Sequence, residues 1–292
     1  MSNKTVKGHY CAPSRHRKGG ESCYTKDQLV TIAKAYNEQY SSAISTSGTK
    51  EQLWSAIERR MDKCDNEWCW IDQIKDNTLF GQDLATAFRP VRPPGKYQWL
   101  STSDIRDVLK QYERAYEDFV FLGPVPMDFC NLAGNEVCNI NLSRSRSNGK
   151  TKIGIVFNTD PSDQPGKHWI SMFIDISDND PSKWEIGYFD SYGEAPLSKE
   201  VQELITNLKR QNPQFNLRLN CRDRDTDKKW CTTTVRHQLN NSECGVYSIN
   251  FIVERLTGKP WKKIVTSIER DEQMVEKRRT FFRPMVGSAH KN

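Results

Sequence analysis

The chain has 292 residues, with 43 Lys and Arg against 37 Asp and Glu and a formal net charge of +6. That length can bury a sizeable interior, as one large domain or as a core with a smaller appendage. No uninterrupted apolar run approaches membrane-spanning length and the first 18 residues are polar and basic, so neither a membrane span nor a secretion signal is expected.

Two short basic clusters, Arg15-His-Arg-Lys18 and Lys277-Arg-Arg279, read as solvated faces that allow a weak, salt-sensitive attraction to nucleic acid or to an acidic partner. Nothing in them specifies a base sequence. Nine cysteines, an odd number spread without a small-domain framework, predict reduced thiols in a reducing compartment. Cys64 and Cys69 are separated by four residues, with Cys11, Cys23, His9 and His16 upstream, and no tight Cys-x2-Cys pair recurs. Ordinary buried thiols are therefore expected, with no metal site.

Residues 25 to 62 predict two amphipathic helices, one on Leu29, Ile32, Ala33 and Tyr36, the other on Leu53, Trp54, Ile57 and Met61. The second opens at Thr49, with Gln52 as capping-box partner. The pair resembles the short helix-loop-helix units of the SAP and LEM type, which bind DNA or protein; a docking or structural arm is the plainer reading. Between Phe88 and Lys96, Phe-Arg-Pro-Val-Arg-Pro-Pro-Gly-Lys can continue neither a helix nor a central strand. The division expected from it is a helical N-terminal arm over 1–95 and a core over 96–292.

In that core the pattern predicts a helix from Ser103 to Tyr116, strands at Lys152–Phe157, at His168 onward and at Trp184–Phe189, a helix from Leu197 to Arg210, a short strand at Phe215–Leu219, and a helix beginning at Cys244. Asn148-Gly149 and Asp163-Gln-Pro-Gly166 read as exposed turns. The order predicts an α+β fold, a small mixed sheet flanked by helices.

His168, Asp190 and Cys244 supply the parts of a cysteine-protease triad. A thiolate nucleophile needs a base within reach, the base needs an orienting acceptor, and the oxyanion needs donors near sulfur. Apolar residues at Val246, Ile249, Ile252, Val253 and Leu256 follow a polar loop, which puts Cys244 at a helix start, where free N–H groups favour the thiolate. Gly245 is expected to leave the approach to sulfur uncluttered. Gln238, six residues upstream, can add an amide donor. A strand pair joined by the Ser177–Lys183 turn brings the start of one strand, His168, near the end of the next, Asp190. Alone, His168 reads as a satisfied surface histidine and Asp190 as a turn residue; together with Gln-x5-Cys-Gly they do not.

The His-Trp, Asp-Ser and Gln-x5-Cys-Gly segments resemble the superfamily of SUMO-specific proteases, the adenovirus maturation protease and the polyprotein protease of African swine fever virus. The blocks Cys-Tyr-Thr-Lys-Asp-Gln-Leu, Trp99-Leu-Ser-Thr, Phe121-Leu-Gly-Pro and Phe-Phe-Arg-Pro resemble thiol proteases of large nucleocytoplasmic DNA viruses. The resemblance implies Cys244 as nucleophile, His168 as base, Asp190 as orienter and Gln238 as oxyanion donor, with Trp169 walling a narrow channel for Gly-Gly and no cofactor. The swine fever enzyme has Asn where this chain has Asp190, so the third member here is closer to the SUMO-protease pattern.

The expected function is a cysteine endopeptidase cleaving after Gly-Gly-type sites, in processing of a viral structural polyprotein during virion maturation. Removal of ubiquitin-like proteins from host targets and a non-catalytic scaffold that binds DNA or capsid protein are the alternatives, and acyl transfer to an acceptor other than water stays open. The expected partner is a protein substrate, a viral polyprotein or a ubiquitin-like conjugate, and the expected setting is the virion and the host cytoplasm.

Overall fold

Runs of β-branched and aromatic residues make the sheet on which the fold is built. The structure, a computed structural model, describes residues 10–16, 22–41, 43–74, 84, 86–194, 198–222 and 235–285. The chain groups into two units, residues 1–92 with 280–292, and residues 93–279. The division expected from the proline-rich stretch falls at 95/96; by contacts, the first unit also takes in the C-terminal segment.

The first unit holds helices α1 (Pro13–His16), α2 (Lys26–Tyr40), α3 (Lys50–Glu58) and α4 (Cys69–Asp72). Both longer helices open on capping boxes, Thr25 with Gln28 and Thr49 with Gln52, each satisfying N–H groups that the first turn leaves free. Leu29, Ile32 and Ala33 of α2 meet Leu53, Trp54 and Ile57 of α3 in one core with Tyr24, Trp70 and Phe88.

The expectation of reduced thiols is corrected among the described cysteines. Cys11–Cys23, Cys64–Cys69 and Cys130–Cys138 form disulfides, and Cys244 carries the free thiol. The partners lie only 12, 5 and 8 residues apart, so local turns bring each pair to the Cα separation that a disulfide spans. The four thiols weighed above as zinc ligands are thus bonded to one another. His9 and residues 17–18 of the first basic cluster lie outside the described residues.

The second unit contains a five-stranded sheet in sequence order, β1 (Phe119–Phe121), β2 (Lys152–Asn158), β3 (Trp169–Asp175), β4 (Glu185–Glu194) and β5 (Asn216–Arg222). The central pairs β2–β3 and β3–β4 are antiparallel and the outer pairs β1–β2 and β4–β5 parallel, which makes the sheet mixed. Around it run the α-helices α5 (Thr102–Ala115), α6 (Leu142–Ser147), α7 (Lys199–Gln211), α8 (Cys244–Leu256), α9 (Trp261–Thr266) and α10 (Asp271–Phe281).

Alternation along the strands sends Ile153, Ile155, Ile170, Met172, Ile186 and Tyr188 into a core shared with Val201, Leu204, Ile205 and Leu208 of α7. The opposite parity meets α8, which packs on β3 and β4; Phe189 stacks on Phe251 with ring centres 5.1 Å apart. Gly187 is what allows this approach. A Cβ there would lie 3.2 Å from the Trp261 ring and 3.3 Å from Phe251. With both faces covered, the strands read as apolar runs, and α8 is buried almost all round.

Candidate active site

His168 immediately precedes β3. The antiparallel register pairs Ser171 with Phe189, which sets the start of β3 beside the last third of β4. His168 Nε2 lies 2.8 Å from Asp190 Oδ1, with side-chain exposures of 13% and 5%. Asp190 does not end its strand as expected: β4 continues to Glu194, and the pairing with β5 becomes irregular between Phe189 and Glu194. In that irregular stretch Asp190 Oδ1 also accepts the Tyr192 N–H at 2.8 Å, and its backbone carbonyl accepts the Asn220 side-chain amide at 3.0 Å. Asp190 is therefore fixed by three contacts, two on its carboxylate and one on its backbone.

Cys244 is the first residue of α8, follows the non-helical Glu243, and is 2% exposed. Its sulfur lies close enough to His168 to act on the titration of the imidazole. Burial acts on the imidazole to lower its pKa, but the hydrogen bonds and charges of Asp190 and Cys244 outweigh it and hold His168 up at about 9. An imidazolium between a carboxylate and a sulfur at a helix N-terminus is an arrangement that stabilises a thiolate.

Gly245 does something other than clear a path to sulfur. A Cβ at that position would lie 3.0 Å from Leu100 Cβ, so the glycine lets Leu100 pack against the first turn of α8. The Leu100 carbonyl accepts the Trp169 indole N–H at 2.9 Å, and Trp169 is 7% exposed. Leu100 thus ties Trp169 to the first turn of α8.

Gln238 is wholly buried. Its Oε1 accepts the Ser191 hydroxyl at 2.7 Å, and its Nε2 donates to the Asn240 carbonyl at 2.7 Å and, at 3.5 Å, to the Tyr192 hydroxyl. The Ser191 carbonyl takes the N–H groups of both His237 and Gln238 at 2.9 Å. The strand that carries Asp190 therefore also sets the position of Gln238.

Three participants were not legible as such. Tyr192 stacks on His168 with ring centres 4.5 Å apart, and desolvation followed by the charge of Cys244 raises its pKa; the Asp-Ser-Tyr-Gly segment contained it, but an aromatic two residues beyond an acid carries no distinctive signal. Glu243, beside Cys244, forms a two-pronged pair with Arg278, Nε to Oε2 at 2.8 Å and Nη2 to Oε1 at 2.9 Å, both side chains buried. Asp271 Oδ2 accepts the N–H groups of Leu239 and Asn240 at 2.9 and 3.0 Å.

Arg278 belongs to the second basic cluster, which the structure corrects. Arg278 is buried on Glu243, Lys277 pairs with Glu254 and Glu269, and Arg279 pairs with Glu276. These charges are neutralised within the protein, so they do not make an open basic face. No helix among the described residues is long and apolar enough to cross a membrane.

The description "Ulp1 protease family, C-terminal catalytic domain" matches residues 147–286, the stretch that holds His168, Asp190, Gln238 and Cys244. A protein of Acanthamoeba polyphaga mimivirus, named as a candidate thiol protease, is 31% identical over 94% of this chain and 93% of its own length. A cysteine protease of African swine fever virus, from a Malawi tick isolate, is 28% identical over 75% of this chain and 83% of its own length. The crystal structure of the African swine fever virus protease superposes with a TM-score of 0.65 over 98% of both chains at 22% identity, which shows a common fold. The chain belongs to the Ulp1 protease family and is a cysteine-type peptidase.

Proposed function

We propose that the chain is an endopeptidase that cleaves after Gly-Gly-type sites, processing a viral structural polyprotein during virion maturation. The observation that carries the reading is the buried His168–Asp190 hydrogen bond set beside Cys244 at the first position of α8. Cys244 Sγ attacks the scissile carbonyl carbon as a thiolate; the carbonyl π pair moves to oxygen, and collapse of the tetrahedral species expels the leaving nitrogen, which takes the His168 proton. Water, deprotonated by the now neutral His168, then attacks the thioester and releases the carboxylic acid and the thiol. Asp190 holds the ring and stabilises its charge in both halves.

The oxyanion is received by backbone N–H groups at the start of α8 and by Gln238. The 3.5 Å contact from Gln238 Nε2 to Tyr192 is long for a hydrogen bond, so that hydrogen can turn to a developing negative charge. Trp169, pinned through its N–H on Leu100, serves as a rigid wall beside the path to sulfur and admits residues without side chains. The helical unit at the N-terminus docks the substrate protein.

Incubation of the purified protein with a virion core polyprotein and, separately, with a ubiquitin-like conjugate tests this, with new termini mapped by mass spectrometry. New C-termini ending in Gly-Gly on the polyprotein support the reading. Cleavage of the conjugate alone would assign the chain to deconjugation, the activity suggested by related swine fever proteins named SUMO-1 cysteine proteases.

A further inference from the structure

Tyr192 touches the acid, the base and the amide donor at once, without taking part in any bond that forms or breaks. It follows Asp190 by two residues in the irregular end of β4. Its backbone N–H donates to Asp190 Oδ1 at 2.8 Å. Its ring lies on the His168 imidazole, with ring centres 4.5 Å apart and planes 21° from parallel. Its hydroxyl donates to the Asn240 carbonyl at 3.0 Å and stands 3.5 Å from Gln238 Nε2.

The hydroxyl decides which way the Gln238 amide faces. A side-chain amide has an acceptor end and a donor end of nearly the same shape, so its neighbours must tell the two apart. The Ser191 hydroxyl donates to Oε1 at 2.7 Å and marks the acceptor end. At the donor end, Nε2 gives one hydrogen to the Asn240 carbonyl at 2.7 Å. The Tyr192 hydroxyl has committed its own hydrogen to that same carbonyl, so it presents lone pairs to Gln238 and would repel Oε1. The second Nε2 hydrogen is thereby aimed, yet at 3.5 Å it is held only weakly. Arg236 braces the same two residues: its Nε donates to the Gln238 carbonyl at 2.7 Å, and its guanidinium lies over the Tyr192 ring at 4.9 Å.

We propose that Tyr192 is a positioning residue that keeps the amide donor of Gln238 in register with the base. Ring and hydroxyl belong to one rigid group, so a ring seated on His168 and a hydroxyl bonded to Asn240 set the distance between base and donor through a single side chain. A phenylalanine keeps the seat and loses the orientation; an aliphatic residue loses both. The inference rests on the reading of Gln238 as the oxyanion donor.

The test follows hydrolysis of a peptidyl Gly-Gly aminomethylcoumarin amide by the full-length protein in a double-substitution cycle of Tyr192→Phe and Gln238→Ala. Tyr192→Phe is expected to lower kcat about fivefold with KM nearly unchanged, the scale of one neutral hydrogen bond lost. Iodoacetamide labelling of Cys244, which forms no oxyanion, should keep its rate. In the Gln238→Ala background the same substitution should cost less than about twofold, whereas Tyr192→Leu, which also unseats His168, should cost more than Tyr192→Phe in both backgrounds. Full turnover in Tyr192→Phe, or a loss that repeats undiminished in the Gln238→Ala background, overturns the inference and leaves the oxyanion reading standing. Unchanged turnover in Gln238→Ala removes that reading and the inference with it. If the unsubstituted protein leaves the coumarin amide intact, the same variants are compared by binding of the corresponding Gly-Gly aldehyde, whose hemithioacetal oxygen stands where the oxyanion forms. Affinity undiminished in Tyr192→Phe, or absence of binding, then overturns the inference.

Discussion

Replacing Asp190 by asparagine keeps the shape of the site and removes one charge, and its effect is read in the alkaline limb of the pH profile. His168 titrates at about 9 against an ordinary 6.5, although burial pulls the other way. Holding the proton over that range corresponds to roughly 3 kcal/mol in favour of the imidazolium, shared between Asp190 and Cys244. An asparagine Oδ1 can still accept from the imidazole and from the Tyr192 N–H, so a neutral hydrogen bond survives while the ionic part is lost. Since charge roughly doubles the strength of such a bond, about half of Asp190's share should go. The alkaline limb is then expected to fall from near 9 to about 8 to 8.5. Iodoacetamide labelling of Cys244, followed by peptide mapping across the pH range, reads the limb without needing a substrate. A limb unmoved by Asp190→Asn would refute the assignment of Asp190 as the charge that supports His168.

The same shift makes a stability statement with a definite sign. A histidine whose folded pKa lies above its unfolded one contributes stability fully below about 6.5 and loses it as pH rises through about 9. Chemical denaturation should therefore show a loss of up to roughly 3 kcal/mol across that window, and a smaller loss in Asp190→Asn. A profile flat from pH 6 to 10 in the unsubstituted protein would contradict the raised imidazole.

Gln238→Ala should lower turnover on the order of a hundredfold with its fold intact, and Ser191→Ala, which leaves Gln238 Oε1 without its donor, should lower it less; unchanged turnover in Gln238→Ala removes the amide from the oxyanion site. Arg278→Ala strands a buried Glu243 carboxylate and should cost about 3–5 kcal/mol in urea unfolding, and a loss below about 1 kcal/mol would show that the pair is not holding the residue before the nucleophile. Trp169→Ala should relax selection at the two residues before the scissile bond, measured on a peptide library, and equal cleavage after Gly, Leu and Phe by the unsubstituted protein would refute the narrow path. Removal of residues 1–92 should weaken cleavage of a polyprotein more than labelling of Cys244; because residues 280–292 group with that unit and Arg283 exchanges backbone bonds with Pro90 and Arg92, the truncated chain must first be shown folded by circular dichroism.

What could be read from the sequence was what a local pattern determines. The period of Val246, Ile249 and Ile252 fixes a helix, and the loop before it fixes the start, so Cys244 could be placed at its first position. The Ser177–Lys183 turn joining β3 to β4 brought His168 near Asp190, although β4 runs on past Asp190 to Glu194. What could not be read depends on contacts across long stretches of chain. Glu243 and Arg278 are 35 residues apart, and each looks like a surface residue until both are buried. Leu100 reaches both Gly245 and Trp169 from far upstream, so a glycine that reads locally as clearance is in fact a packing site. The disulfides failed for a related reason: their loops are short, but closing them depends on turns that carry no spacing signature.

The Glu243–Arg278 pair is one of several non-local contacts that share a target, the loop from Arg236 to Glu243. Ser191 holds it by backbone at His237 and Gln238 and by hydroxyl at the Gln238 side chain; Asp271 holds Leu239 and Asn240; Arg270 Nη1 donates to the carbonyls of Arg236 and His237; Arg278 clamps Glu243. A chain segment without helix or strand has no ladder of its own to satisfy its backbone groups, so each must be met from outside. Here they are met by β4 on one side and by α10 and the residue before it on the other. A group that must receive charge within a fraction of an ångström gains from such bracing, because reorganisation at the moment of reaction is then small. Helix α10, whose Lys277–Arg279 cluster reads in sequence as a solvated face, on this argument supports the loop that carries Gln238 and leads into Cys244, and substitutions along its inner face should lower turnover as well as stability.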